Sequence, residues 1–177
     1  MSYFAAAAVR VADEWTAAEV SLADAADVED VADRLRDVEP TADLSLLFVE
    51  SDDSYLVILR LDHGEDLRVF GSDAAFAEES RMGALLLGDV GAPTIEIDAV
   101  DLAIAPPDPD STVDDEPQPV EADADPAGDA DLLADLGIPA AKLLGLCAHE
   151  GMLPSDVTAE VCQVIGCGDV VEGLREA

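Results

Sequence analysis

The sequence has few basic residues, and this shortage limits the partners that the protein can have. It contains 41 Asp and Glu residues but only 8 Lys and Arg residues, with Lys142 as its single lysine, and the formal net charge is −33. Such a charge repels nucleic-acid phosphates and anionic lipid headgroups within the Debye length, about 8 Å at physiological salt. We therefore expect no direct nucleic-acid binding and no membrane binding, and we expect a macromolecular partner to present a basic protein surface.

The sequence also lacks export signals and a disulfide framework. No run of 18 or more apolar residues occurs, and no basic stretch precedes the first apolar run. The three cysteines are an odd number and all lie in the C-terminal part, unlike the paired cysteines of a secreted domain. These absences predict a cytoplasmic protein. Half of the residues are apolar but only 4% are aromatic, so we expect an aliphatic core.

The acidic residues are unevenly distributed along the chain. Residues 83–127 contain 12 acidic residues and no basic one, and residues 105–128 contain six prolines and no aromatic residue. This composition buries too little apolar surface to offset the entropy of the chain, and it predicts a disordered, extended linker from Pro106 to Ala127. The resulting prediction is an α+β protein with an N-terminal domain at 1–104, an acidic proline-rich linker at 105–128 and a small helical domain at 129–177.

The N-terminal domain is predicted to be mainly an antiparallel sheet with one or two helices. The alanine run Ala5–Ala8 favours a helix as much as a strand by propensity alone. Apolar periodicity and turn residues predict a hairpin of 3–11 and 15–22, a helix at 24–38, strands at 44–50, 55–61 and 66–70, a helix at 74–82 continuing to 87 with Ser72 or Asp73 as its cap, and an edge strand or loop at 94–97.

The C-terminal part has prolines and glycines at positions typical of helix starts and ends, and it has no pattern typical of strands. A helical segment from Asp131 ends at Gly137, Pro139 and Pro154 open helices that end near Gly151 and Gly166, and a last helix starts at Gly168 or Asp169. About 49 residues form a marginal domain, so we expect it to pack on the N-terminal domain, a second copy or a partner. The residues predicted to form its core are Leu132, Leu133, Leu136, Ile138, Leu143, Leu144, Cys147, Leu153, Val157, Val161, Ile165, Val170 and Leu174.

Four residues have side chains that can bind zinc. They are Cys147, His149, Cys162 and Cys167, spaced as C-x-H and C-x4-C. Structural zinc sites usually place ligand pairs around a tight turn, whereas these residues lie in or beside predicted helices with apolar neighbours. We interpret the cysteines as core or helix-edge residues.

His63-Gly64-Glu65 matches half of the zinc deaminase signature, in which the histidine binds zinc and the glutamate transfers protons. The other half, P-C-x-x-C, is missing. We interpret these three residues as a polar hairpin loop.

Other catalytic motifs are also missing. No serine lies in G-x-S-x-G, and no phosphate-binding G-x-x-x-x-G-K-[ST] loop occurs. Asp108-x-Asp110 and Asp123-x-Asp125 lack the glycine and the closing glutamate of a calcium loop. We assign no catalytic, cofactor-binding or metal-binding residue and no cofactor. Trp15 and Tyr55 fit a core or an interface, with core packing the commoner fate.

The order of segments resembles a known family. The segments are Met1–Ala6 with Trp15–Ala17, Leu46–Glu50, Glu79–Leu87, the acidic linker, and Gly128–Gly137. Together they are similar to the tRNA adenosine deaminase-associated protein family of high-GC Gram-positive bacteria. The family takes its name from genes beside the one for the tRNA adenosine deaminase, which makes inosine at the wobble position of tRNA. The resemblance implies a shared pathway or a physical partnership and supplies no catalytic residues.

Three functions are compatible with the sequence. The first is a non-enzymatic accessory protein that binds a basic protein surface, with the tRNA adenosine deaminase as the implied partner. The second is a small enzyme of unknown reaction with its site between the two folded parts. The third is an acidic soluble protein whose charge keeps its surface hydrated and selects no partner.

Overall fold

The structure is a computed structural model that describes residues 3–51, 55–73, 75, 79–87, 126–149 and 151–176. The strands are β1 (Tyr3–Val11), β2 (Glu14–Glu19), β3 (Leu44–Ser51), β4 (Tyr55–Asp62), β5 (Asp66–Gly71) and β6 (Ala127–Gly128). The helices are α1 (Val28–Val38), α2 (Arg81–Leu87), α3 (Ala140–Cys147), α4 (Pro154–Ile165) and α5 (Gly168–Glu176). The strands form one antiparallel sheet in the order β2-β1-β3-β4-β5-β6. The predicted α+β class is confirmed.

The alanine run lies in a strand, which settles the question that propensity left open. β1 pairs with both β2 and β3, and Ala5 to Ala8 are all buried. Ala5 and Ala7 lie on one face of the sheet, and Ala6 and Ala8 lie on the other. Because alanine side chains are small, both layers of the protein approach this strand closely. The predicted hairpin is confirmed, and its two turn residues, Ala12 and Asp13, have φ of 48° and 72°, the left-handed conformation of a type I′ turn.

The predicted helix at 24–38 is confirmed but begins at Val28. Asp27 is its N-cap and accepts a hydrogen bond of 2.9 Å from the Asp30 amide. The Asp30 carboxylate in turn accepts a hydrogen bond of 2.9 Å from the Ala26 amide. These two bonds satisfy the Asp30 amide in the first turn and the Ala26 amide just before the N-cap, and they fix where the helix starts. Its apolar stripe, with Val31 and Leu35 fully buried, packs on one face of the sheet.

Helices cover both faces of the sheet. α1 and α2 pack on the first face, and the C-terminal helices pack on the second. β3 and β4 are therefore buried on both sides, which explains why their sequences are almost continuously apolar. The sequence left open whether the C-terminal part packs on the N-terminal domain, on a second copy or on a partner. In the structure it packs on the N-terminal sheet. Apart from Leu153, which is 44% exposed, its predicted core residues share one cluster with the sheet.

The chain returns to the sheet through β6. Ala127 and Gly128, the last residues of the predicted linker, pair with Gly71 and Phe70. Gly128 has φ of +87°, and a Cβ there would lie 2.1 Å from the Val69 carbonyl oxygen, so only glycine fits. The remainder of the predicted linker up to residue 125, and the predicted strand or loop at 94–97, lie outside the described residues. The boundaries 1–104, 105–128 and 129–177 stay a prediction about the organisation of the chain.

Two predicted helices differ from the structure in detail. In the first part of the predicted helix, Ala75 and Glu79 are helical, and the Asp73 carboxylate accepts a hydrogen bond of 2.9 Å from the Ala75 amide, which agrees with Asp73 as a cap. The helix does not continue through Ser80. α2 begins at Arg81, and its cap is Ser80, whose hydroxyl accepts hydrogen bonds from the Met82 and Gly83 amides. Residues 74 and 76–78 of the predicted helix lie outside the described residues. The segment from Asp131 forms turns and a 3-10 turn at Ala134–Leu136 before Gly137, since so short a segment does not propagate an α-helix. The predicted helices that follow Pro139, Pro154 and Cys167 are confirmed.

Candidate interaction surface

A buried arginine joins the sheet to the C-terminal part. Arg60 in β4 is 7% exposed, and its guanidinium donates to the Asp62 carboxylate at 2.8 Å, the Asp135 carboxylate at 2.8 Å and the Leu132 carbonyl. The hydrogen bond with Asp135 is the main cause that raises the pKa of Arg60 above its usual value. The same hydrogen bond lowers the pKa of Asp135. Arg60 is thus fully engaged inside the protein and offers no charge to a partner.

A second arginine makes a similar connection at the end of the chain. Arg175 in α5 pairs with Glu50 in β3, whose side chain is 10% exposed. Its guanidinium also lies 5.0 Å from the centre of the Phe4 ring, a favourable cation–π distance. Two of the protein's few cations are therefore used to hold the second face of the sheet.

Exposed carboxylates gather at one end of the sheet. We call this region the turn end and define it as residues 12–14, 39–43 and 63–66. Hydrogen bonds tie its loops together, since Asp43 donates its amide to the Arg10 carbonyl at 2.9 Å and accepts from the His63 amide at 3.0 Å. The Asp43 carboxylate also accepts from the Ala12 amide at 3.2 Å. The exposed acidic residues of the turn end are Asp13, Glu14, Asp43, Glu65 and Asp66.

The cations beside the turn end already have partners. Arg36 donates to the Gly64 carbonyl and pairs with Asp33. Arg10 lies 5.6 Å from the centre of the Trp15 ring. The turn end therefore presents an ordered acidic surface, which attracts a basic surface of a partner.

The histidine of the incomplete deaminase signature lies in the turn between β4 and β5. His63 has φ of 50° and Gly64 has φ of 75°, as in a tight hairpin turn. His63 and Glu65 are both exposed. The structure thus agrees with the interpretation of these residues as a polar hairpin loop.

Cys162 and Cys167 lie at the junction of α4 and α5. The Cys167 amide donates to the Cys162 carbonyl at 2.9 Å across Gly166, which has φ of +100°. This is the Schellman cap, in which residues at these two positions contact each other. The hydrogen bond between the two cysteine side chains is the largest cause that raises the pKa of the Cys162 thiol, and burial is the second.

Cys147 and His149 lie elsewhere on the C-terminal helices. Cys147 ends α3, and burial raises the pKa of its thiol to about 11. His149 is exposed in the turn that follows. Within the described residues no group of three or more His, Cys, Asp and Glu side chains is arranged to hold a metal ion. The interpretation of Cys162 and Cys167 as core residues agrees with their burial.

The two aromatic anchors considered in the sequence have different environments. Tyr55 is 2% exposed and belongs to the core of the first face. Trp15 is half-buried on β2, where its indole nitrogen lies beside Gly166 of the C-terminal part. Trp15 is thus a contact between β2 and the helices of the second face.

An apolar cavity of about 200 Å³ lies on the first face. Among its described lining residues are Tyr3, Leu22, Ser80 and Met82, and none of them is a histidine, a cysteine or a carboxylate. The Tyr3 hydroxyl accepts a hydrogen bond from the Leu22 amide at 2.9 Å, and the Ser80 hydroxyl caps α2. The described lining residues of the cavity therefore supply no carboxylate, imidazole or thiol as a general base.

Sequence reasoning missed the two buried ion pairs. Their signal was present, since Arg60 is the single charged residue within the apolar run Tyr55–Leu61 and Glu50 is the single charged residue of β3. A charge in such a strand is buried only when it has a partner.

Comparison with known families gives one result. A family model described as "Rv3753c-like tRNA adenosine deaminase-associated protein" matches residues 3–168. Comparisons with curated proteins and with solved structures give no match. None of the described helices has the length and hydropathy needed to cross a membrane.

Proposed function

Because the chain belongs to the family of Rv3753c-like tRNA adenosine deaminase-associated proteins, we propose that it is a non-enzymatic accessory protein that binds a basic surface of that deaminase in the cytoplasm. The observation that carries the proposal is the ordered acidic surface at the turn end, where the neighbouring cations are already engaged. An enzyme surface that receives tRNA must attract phosphates, so it also attracts this protein. Binding there competes with tRNA.

The acidic residues have two roles in this proposal. The 12 acidic residues between 83 and 127 supply long-range attraction, which raises the rate of association. The turn end supplies the contact, because hydrogen bonds between its loops fix the positions of its carboxylates.

The experiment measures binding of the purified protein to the tRNA adenosine deaminase by calorimetry. We expect binding at low salt and its loss at roughly 0.5 M salt, because charged contacts at a surface are screened. Adding tRNA should displace the protein. Absence of binding at every salt concentration would refute the proposal.

Matched variants separate a specific acidic surface from charge alone. The turn-end variant is Asp13→Asn, Glu65→Gln and Asp66→Asn, and its control is Asp24→Asn, Glu29→Gln and Asp37→Asn, which removes the same charge from exposed residues in and before α1. We expect the turn-end variant to weaken binding by at least about tenfold and the control by less than about threefold. Equal losses would favour the other function, an acidic protein whose charge selects no partner.

A further inference from the structure

Among the described strands, β2 lies at one edge of the sheet and pairs on one side only, with β1. Its register with β1 begins at the pair Val11 and Glu14, next to the two-residue turn, and hydrogen-bonded pairs then alternate along the strands. The Val20 amide donates to the Ala5 carbonyl at 2.9 Å, in phase with this alternation. The amides and carbonyls of Trp15, Ala17 and Glu19 consequently point away from β1, and they have no hydrogen-bond partner within the described residues. Unpaired edges of this kind are templates for another strand.

The surroundings of this edge are acidic. Glu14 and Glu19 stand at the two ends of β2, and both are exposed. α5 packs on β2 and exposes three further carboxylates; they belong to Asp169, Glu172 and Glu176. Of the neighbouring cations, Arg10 lies over the Trp15 ring and Arg175 pairs with Glu50.

We propose that the free edge of β2 binds an extended, basic segment of a partner protein as an additional antiparallel or parallel strand. The proposal rests on the proposed function and adds how the partner is held. Main-chain hydrogen bonds to Trp15, Ala17 and Glu19 supply affinity, and lysine or arginine near both ends of the segment pairs with Glu14 and Glu19. The segment needs about six residues, the length of β2.

A second copy of this chain fits the edge less well. Each copy carries a formal charge of −33, so bringing two β2 strands together opposes like charges. Glutamates at an edge discourage self-pairing, and the same residues attract a strand of opposite charge. The two occupants differ in their response to salt, because salt weakens binding of a basic segment and strengthens self-association.

The first test is amide hydrogen exchange of the full chain, alone and with the tRNA adenosine deaminase. We expect the amides of Trp15, Ala17 and Glu19 to exchange fast in the free protein and at least about tenfold more slowly in the complex. A capped peptide, Lys-Val-Thr-Val-Thr-Lys, serves as an independent probe, and the same peptide with glutamate at both ends is its control.

The second test is a variant that blocks the edge. Ala17→Pro removes one outward amide and leaves the ladder to β1 intact, and proline is tolerated at such edge positions. Ala17→Ser keeps the amide and is the matched control. We expect Ala17→Pro to weaken binding of the deaminase by at least about tenfold and Ala17→Ser by less than about twofold.

The outcomes separate this inference from the proposed function. If the deaminase binds but the three amides exchange as in the free protein, the edge is not the binding site and the inference is overturned while the proposed function stands. If the deaminase does not bind, the proposed function fails, and the lysine-flanked peptide decides whether the edge accepts a basic strand. Protection that appears with rising salt and without any added probe identifies a second copy and overturns the inference. If Ala17→Pro does not fold, hydrogen exchange of the unmodified protein gives the result.

Discussion

At the scale of residues, the protein depends on cations that it has in short supply. Arg60 is almost completely buried, and its guanidinium bonds two carboxylates and a carbonyl oxygen from both parts of the chain. Arg68, its neighbour across β4 and β5, has a side chain that is 48% exposed and lies 4.0 Å from Asp129. Replacing Arg60 would therefore leave acceptors inside the protein without a donor, whereas replacing Arg68 would remove only an exposed ion pair.

Replacing Arg60 should destabilise the protein far more than replacing Arg68. Arg60→Met leaves the Leu132 carbonyl and the carboxylates of Asp62 and Asp135 without their donor, and we expect a loss of about 3 kcal/mol in the free energy of unfolding. Arg68→Met should cost no more than about 0.5 kcal/mol, as for an exposed pair. Urea denaturation of both variants measures the difference. Equal losses would mean that the buried guanidinium does not stabilise the contact between sheet and C-terminal part.

The same site predicts a dependence on pH. Arg60 lowers the pKa of Asp135 in the folded state, so the folded protein binds fewer protons than the unfolded chain at pH values near and below about 4. This contribution is complete above the ordinary aspartate pKa, near 4, and is lost as the pH falls through the lower folded value. Asp135→Asn should therefore cost about 1 kcal/mol at pH 7, and this cost should disappear in strong acid. Denaturation series at several pH values test both statements.

The sequence could indicate Arg60 but not its partners. A single charge within Tyr55–Leu61 signals a buried ion pair, because an unpaired charge is too costly there. Asp135 lies 75 residues away in the chain, beyond a long segment outside the described residues. Nothing local distinguishes it from the other aspartates, since the pairing depends on where the C-terminal part packs. The sequence predicts that acidic residues at turns are exposed. It does not predict that the acidic residues of the turn end lie close together, because their proximity depends on the order of the strands in the sheet.

At the scale of elements, capping decides where the C-terminal helices begin and end. Gly137 and Gly166 take the left-handed conformation at the caps that the sequence predicted. The three thiols lie at the ends of these helices, with Cys162 and Cys167 in one cap and Cys147 at the end of α3. Their accessibility therefore reports on whether the helices stay packed.

The thiols should react slowly in the folded protein. Burial raises the pKa of Cys147 to about 11, so at pH 8 its thiolate is on the order of 100-fold rarer than that of an ordinary cysteine. We expect modification by a disulfide reagent to be slow at pH 8, to accelerate as the pH rises toward 11, and to reach all three cysteines only in denaturant. In the double variant Cys162→Ala/Cys167→Ala, Cys147 is the single remaining thiol, so mass spectrometry of this variant measures the modification rate of Cys147 alone. Fast reaction at pH 8 under native conditions would show that α3 does not bury it.

Elements were predictable from the sequence where the signal is local. The turn at Ala12 and Asp13, the stripe of α1 and the glycine caps all follow from short patterns. The order of the strands does not, because β1 lies between β2 and β3 through contacts distant in sequence. β6 was missed for the same reason, as two residues of strand at the end of a proline-rich segment have no periodicity. The free edge of β2, on which the binding inference depends, is a consequence of that order.

At the scale of the whole molecule, the described residues form two layers of helices on one shared sheet. The sheet separates two apolar clusters, and both clusters use residues of β1, β3 and β4. The C-terminal helices bury their apolar faces on the sheet instead of forming an independent core. The large negative charge opposes compaction through self-repulsion, so the shared sheet has to stabilise both layers together.

This sharing predicts that the protein unfolds in a single transition. If β3 and β4 support both clusters, loss of the second cluster exposes the sheet to water and removes much of the support for the first. Calorimetry should give equal calorimetric and van't Hoff enthalpies, and Trp15 fluorescence, which reports the contact of β2 with the C-terminal part, should change together with far-UV circular dichroism. Arg60→Met should shift both signals by the same amount. Added salt should raise the midpoint, because it screens the repulsion among carboxylates. Two separate transitions, with only the fluorescence transition moved by Arg60→Met, would instead mean that the helices of the second face unfold on their own and that the acidic sheet is stable without them.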